Sequence, residues 1–165
     1  MHILINKKYL TYKKYKVKCA VGKRGIKVKR KEGDLITPKG EFKIKFILFR
    51  KDRLKIETKL KIKAITKNMG WCNDPRSKQY NKLIRLPFKY SHEKLFKKEN
   101  IYDIIVVLNY NMDPIKKFKG SAIFIHIAKK NYKKTEGCIA IKKNHLLKII
   151  KDLKTSSKVK IFLRR

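Results

Sequence analysis

A mainly β fold, a curved sheet or sandwich carrying one or two short helices, is predicted by three features of the sequence. Segments in which apolar residues alternate with lysine at period two outnumber those with a helical period. Two late segments are nearly continuous runs of branched residues, the pattern of strands buried on both faces. Gly, Asp and Pro separate the early alternating segments at short intervals, as turns of a meander do.

In chain order, Tyr15 to Val21, Gly25 to Arg30 and Glu41 to Phe49 alternate apolar and lysine positions, so each is a strand with one packed and one solvated face. Gly22 to Gly25 and Asp34 to Gly40 supply the turns between them. Thr58 to Thr66 repeats the alternation and predicts another strand. From 67 to 100 the pattern breaks into a polar, aromatic segment with two prolines and the chain's single tryptophan, expected to form a lid or substrate wall. Tyr102 to Tyr110 and Ser121 to Ala128 are the two branched runs, expected as central strands. After Gly137 to Ile141 the period changes. Leu146, Leu147, Ile149, Ile150 and Leu153 fall on one stripe of a short amphipathic helix, and Val159 to Leu163 ends the pattern as a strand.

With 165 residues, of which 42% are hydrophobic, the chain fits one domain over residues 1–165 and has enough apolar content to fold. Lys and Arg number 47 against 12 Asp and Glu, a net charge of +35 spread from Lys7 to Arg165. Such a charge favours polyanions or an anionic matrix, and it also fits compositional drift toward lysine. The three cysteines, Cys19, Cys72 and Cys138, contain no CxxC pair, which argues against a disulfide framework and a zinc knuckle. No apolar run approaches a membrane span, and the first residues lack a signal-peptide core, so a soluble chain is expected.

Chemistry concentrates in Ser121 to Ile141, where His126 lies on an apolar strand and Cys138 follows Gly137 twelve residues later. Alternation places His126 on one face with Ala122 and Phe124, opposite Ile123, Ile125 and Ile127. A thiol becomes a nucleophile at neutral pH when a base or positive group favours its thiolate, and imidazole is the commonest partner. Gly137 offers backbone freedom and amide donors beside the thiol for an oxyanion, and Thr135 offers a further hydrogen bond. Spacing alone leaves catalytic and structural roles for this pair open.

The run TPKGEF from Thr37 to Phe42, followed by the His strand and TEGC, resembles the L,D-transpeptidase catalytic domain, in which a Thr-Pro-x-Gly-x-Phe turn precedes a His strand and a Ser-His-Gly-Cys loop. The similarity extends to Gly70 to Asn81, Ser91 to Leu95 and Tyr102 to Asn111, and looks like a compact bacterial branch of that family. The resemblance implies a curved sheet or sandwich in which Cys138 is the nucleophile, His126 the base and Gly137 the loop glycine that helps hold the oxyanion. It implies acyl transfer on peptidoglycan stem peptides through a thioester with release of a terminal D-amino acid, no metal or organic cofactor, and a cell-envelope or periplasmic setting. Water as acceptor gives an L,D-carboxypeptidase instead. Thr135 and Glu136 stand where many members have Ser and His, and Ala140 where many have Arg or Asn, which keeps an inactive peptidoglycan-binding member as an alternative. The negative charge of Glu136 is expected to oppose thiolate formation.

Trp71 and Tyr80 are candidate walls for a stem peptide, and Arg76 and Arg85 candidate clamps for its carboxylates. Cys19 and Cys72 are expected as packed small hydrophobes, and His92 as a surface residue at a helix start. Expected partners are stem peptides and an anionic cell-wall polymer, with a monomeric chain. The rival from another class is a basic nucleic-acid-binding β-domain, motivated by the charge and by aromatics among lysines such as YLTYKKYK. It is disfavoured because the basic residues are not confined to one face or arm.

Overall fold

The structure, a computed structural model, describes residues 1–163. The first strands are β1 (Ile3–Ile5), β2 (Tyr9–Tyr12), β3 (Tyr15–Lys18), β4 (Ile26–Lys27), β5 (Thr37–Pro38), β6 (Gly40–Phe49) and β7 (Ile62–Ala64). Then come β8 (Met69–Cys72), β9 (Leu83–Arg85), β10 (His92–Lys94), β11 (Ile104–Leu108), β12 (Phe124–Ile127), β13 (Ile139–Ile141), the helix α1 (Lys143–Asp152) and β14 (Lys158–Ile161).

Nine of the strands build one sheet in the order β13-β12-β11-β6-β14-β1-β2-β3, with β7 also paired to β6. The long β6 is the hinge of this sheet, pairing with β14 through its first residues and with β11 through the rest. The sheet curves until its ends meet. Just past β3, the Ala20 amide donates to the Ala140 carbonyl at 2.8 Å and the Ala140 amide donates back at 2.9 Å. The mainly β content expected from the alternation is therefore present, and of the expected curved sheet or sandwich the structure has a curved, nearly closed sheet.

Alternation sorts the central strands between two cores. Ile104, Val106 and Leu108 of β11, with Ile125 and Ile127 of β12, face the larger core, which α1 covers with Leu146, Ile149 and Ile150. Ile105, Val107 and Phe124 face the other side and pack with Leu48, Trp71, Leu95 and Tyr102. Both faces are covered, which is why these strands read as continuous apolar runs.

The cover on the second side comes from the segment at 67–100, which holds the three-stranded sheet β10-β8-β9. Its strands are three or four residues long, too short to show a period. The start of the chain, before the first segment read as a strand, also carries regular structure. Residues 3–12 form β1 and β2, and β1 runs parallel to β14 with Ile3 opposite Val159 and Ile5 opposite Ile161. The partner that makes β1 a strand lies more than 150 residues away, so no local pattern could reveal it. The strands expected over Gly25 to Arg30 and Thr58 to Thr66 shrink to β4 and β7. Among the described residues, no helix is long and apolar enough to cross a membrane.

Candidate active site

Strand register decides where the chemistry sits. β12 and β13 are parallel neighbours with Ile125 opposite Ile139 and His126 opposite Ala140. Cys138 precedes Ala140 by two, so it and His126 project from the same face of adjacent strands as diagonal neighbours. That face is the one turned toward the 67–100 segment. Both side chains line a cleft of about 430 Å³ whose other walls include Asn73, Glu93, Lys97 and Tyr102.

The imidazole is oriented by the backbone. His126 is buried, and its Nδ1 lies 2.9 Å from the Ile127 carbonyl oxygen. A carbonyl only accepts, so Nδ1 carries the proton and donates, and Nε2 keeps the lone pair. Tyr102 stacks edge-on against the ring, with centroids 5.3 Å apart and planes at 80°. Burial holds the His126 pKa below its ordinary value, with the Ile127 contact opposing. The imidazole is thus a neutral base at neutral pH.

Cys138 is half-buried, and its thiol donates to the Ala122 carbonyl at 3.1 Å. Burial pushes its pKa up to about 12, with the Glu93 carboxylate adding to the rise and the Phe124 backbone and Lys29 opposing. The resting pair is therefore neutral thiol and neutral imidazole, not a thiolate–imidazolium pair. Glu136 also lines the cleft and raises the thiol, but Glu93 is the carboxylate that acts on it first.

The loop carrying the thiol is pinned from two sides. The Thr135 hydroxyl donates to the Cys138 carbonyl and accepts from the Gly137 amide at 3.1 Å. The Thr37 hydroxyl accepts from the Gly22 amide and donates to the Gly137 carbonyl, both at 2.8 Å. The Thr-Pro turn is thus a clamp on the cysteine loop. Gly137 has φ +147°, and a Cβ there would meet the Ile36 carbonyl oxygen at 3.0 Å, so only glycine lets the chain pass. Its amide, expected to face an oxyanion, is engaged by Thr135 in this state.

The segment from 70 to 81 acts behind the cleft. Buried Trp71 packs edge-on to Phe124 and donates its indole N–H to Asn81 Oδ1 at 3.1 Å. The same Asn81 oxygen accepts the Ala122 amide at 3.0 Å, fixing the residue whose carbonyl meets the thiol. Tyr80, also buried, donates its hydroxyl to Glu32 and accepts the Gly120 amide at 2.9 Å. Arg76 places its guanidinium on Asp74, with contacts of 2.9 and 2.7 Å. Arg85 is exposed on β9.

Cys138, His126, Gly137 and Thr135 therefore come together, while Trp71, Tyr80, Arg76 and Arg85 do not line the cleft. The two aromatics are drawn into packing because a large ring gains more from burial than from lining a groove. The Asp74 contact satisfies the guanidinium of Arg76 within its own loop. Cys19 and Cys72 are buried, as expected. His92 opens β10 and not a helix, because Glu93 pairs with Trp71 and Lys94 with Gly70 across β8. Sequence reasoning left out Glu93, Tyr102, Ser121 and Lys29 as cleft residues. Lys29 is a buried lysine paired with buried Asp34, a pairing that nothing in the local pattern announces.

The family model of the L,D-transpeptidase catalytic domain (YkuD) matches residues 2–161. No curated protein matches the chain.

Proposed function

Because the chain belongs to the L,D-transpeptidase catalytic domain family, with the peptidoglycan substrate and cell-envelope setting that membership implies, we propose that it is a cysteine-dependent acyltransferase acting on peptidoglycan stem peptides. The observation that carries this reading is the shared cleft in which His126 keeps Nε2 unprotonated on the same sheet face as the Cys138 thiol.

In the first half-reaction, Nε2 of His126 takes the thiol proton as Sγ attacks the carbonyl of the L-centre that is bonded to a terminal D-amino acid. The C–N bond breaks, the imidazolium returns the proton to the leaving amine, and a thioester remains on Cys138. An acceptor amine then forms the cross-link, or water gives the shortened peptide. Because both groups rest neutral, the ion pair forms only as the attack proceeds, inside a cleft where fixed dipoles act strongly. Exchange of the Thr135–Gly137 bond for an amide contact to the oxyanion is a step this reading requires. The 67–100 segment serves as the substrate wall, with Asn73, Glu93 and Lys97 contributing side chains to it.

The test is intact-mass spectrometry after incubation with a carbapenem or with a tetrapeptide donor. Wild type is expected to gain one acyl adduct, and Cys138→Ala none. A folded wild-type protein that stays unmodified by both reagents sinks the reading.

A further inference from the structure

We infer that Glu93 forms the subsite for the ammonium of the acceptor, and so sets the balance between transfer and hydrolysis; the inference rests on the function proposed above.

Glu93 stands on β10, opposite Trp71 of β8, and projects into the cleft that holds Cys138 and His126. Its Oε1 is engaged twice, accepting the Tyr102 hydroxyl at 2.7 Å and lying 3.2 Å from Lys97 Nζ. Oε2 has no hydrogen-bond partner among the described residues. A carboxylate held in place through one oxygen, with the other unengaged, in a residue that lines a cleft is a ready receptor for a cation. Tyr102 ties this receptor to the reacting centre, since the same ring that donates to Glu93 packs against His126. Burial pushes the Tyr102 phenol well up, so it stays a donor throughout.

A second observation concerns a polar group of the same cleft. Ser121 lines it, is 7% exposed, and its buried hydroxyl has no partner among the described residues. A hydroxyl left unsatisfied in that position costs stability unless an incoming polar atom engages it. The rim, by contrast, carries Lys23, Lys129, Lys133 and Lys134. Those lysines repel a free ammonium and attract carboxylates, and of the other two carboxylates lining the cleft Glu32 accepts the Tyr80 hydroxyl and Glu136 is exposed on the cysteine loop, so Glu93, held by Tyr102, is the one fitted to draw a cationic acceptor toward the thioester.

The step balances as follows. The acceptor ammonium docks on Glu93 and releases one proton to solvent. Its lone pair attacks the thioester carbonyl, a C–N bond forms and the C–S bond breaks. The second nitrogen proton passes through Nε2 of His126 to the departing sulfur, restoring thiol and neutral imidazole.

Glu93→Gln removes the charge and keeps an oxygen for Tyr102. With a tetrapeptide donor and rising concentrations of an amine-bearing stem peptide as acceptor, this variant is read by its ratio of cross-linked to hydrolysed product, which is set after the thioester has formed and so does not depend on the acylation rate that the Glu93 charge also influences. It is expected to need on the order of tenfold more acceptor to reach the wild-type ratio of cross-linked to hydrolysed product, the worth of one charge-assisted contact. Glu93→Asp is expected to recover part of the loss. Direct binding of the same amine to the Cys138→Ala protein, with and without Glu93→Gln, reads the subsite without turnover. Unchanged partition and unchanged amine binding in Glu93→Gln overturn the inference, as does an equal fall in acylation and partition, which marks a purely structural role. Wild-type protein that binds the amine through Glu93 yet never acylates overturns the proposed function and leaves the subsite standing.

Discussion

At the scale of single residues, the protonation states of His126 and Cys138 determine how the site responds to pH. Burial lowers the His126 pKa, so its base-competent neutral form persists to lower pH than in a free histidine, whose ordinary value is 6.5. The acid limb of the single-turnover acylation rate is therefore expected below 6.5, measured by mass spectrometry across a pH series. A limb above that value contradicts the burial argument. The thiol, pushed up to about 12, is expected to react with iodoacetamide at a rate that keeps rising through the alkaline range. A plateau near neutrality indicates a preformed thiolate. His126→Asn is expected to slow acylation by about 10²–10⁴-fold, the usual worth of a positioned general base, with folding preserved by circular dichroism. The face on which His126 lies was legible in the sequence because alternation assigns a strand face to each residue of its strand, and the structure places Cys138 in the same cleft. Glu93 and Ser121 were not, because a carboxylate or hydroxyl becomes a cleft group only through what surrounds it.

At the scale of elements, the short strands and turns that escape periodicity do the positioning. β5 is two residues long, yet the Thr37 side chain joins the Gly22 amide to the Gly137 carbonyl. Thr37→Val keeps the shape and removes both bonds, leaving a buried donor and a buried acceptor unsatisfied. A loss of about 2–4 kcal/mol is expected from chemical denaturation, together with slower acylation because the cysteine loop loses its clamp. Unchanged stability and rate would show that water or neighbouring groups replace the hydroxyl. The 70–81 segment works in the same indirect way, through Asn81, which bonds Trp71, the Ala122 amide and the Tyr110 and Asn111 carbonyls. Its aromatic and polar character pointed toward a substrate surface, whereas those groups hold the strand entering at Ala122. The helix was legible over nearly its whole length, since Leu146, Ile149 and Ile150 mark the stripe that packs.

At the scale of the whole molecule, a net charge of +35 surrounds a nearly closed sheet and a cleft rimmed by lysines. Attraction to an anionic wall polymer through exposed lysines is screened, so binding to a polyanionic matrix is expected to weaken steeply as the Debye length falls from about 10 Å at 0.1 M salt to about 3 Å at 1 M. Retention that does not change with salt would place the contact in the cleft and not in the general field. By itself the sequence determined the β class, the buried central strands, the amphipathic helix and the common face of His126 with Ala122 and Phe124, because side-chain direction in a strand or helix follows from local period alone. Only the tertiary structure decided that β1 pairs with β14, that Ala20 and Ala140 join the two ends of the sheet, and that Glu93, Ser121 and Lys29 enter the cleft while Trp71 and Tyr80 leave it. Those outcomes depend on contacts between residues far apart in the chain, whose free energy exists only once distant surfaces are brought together.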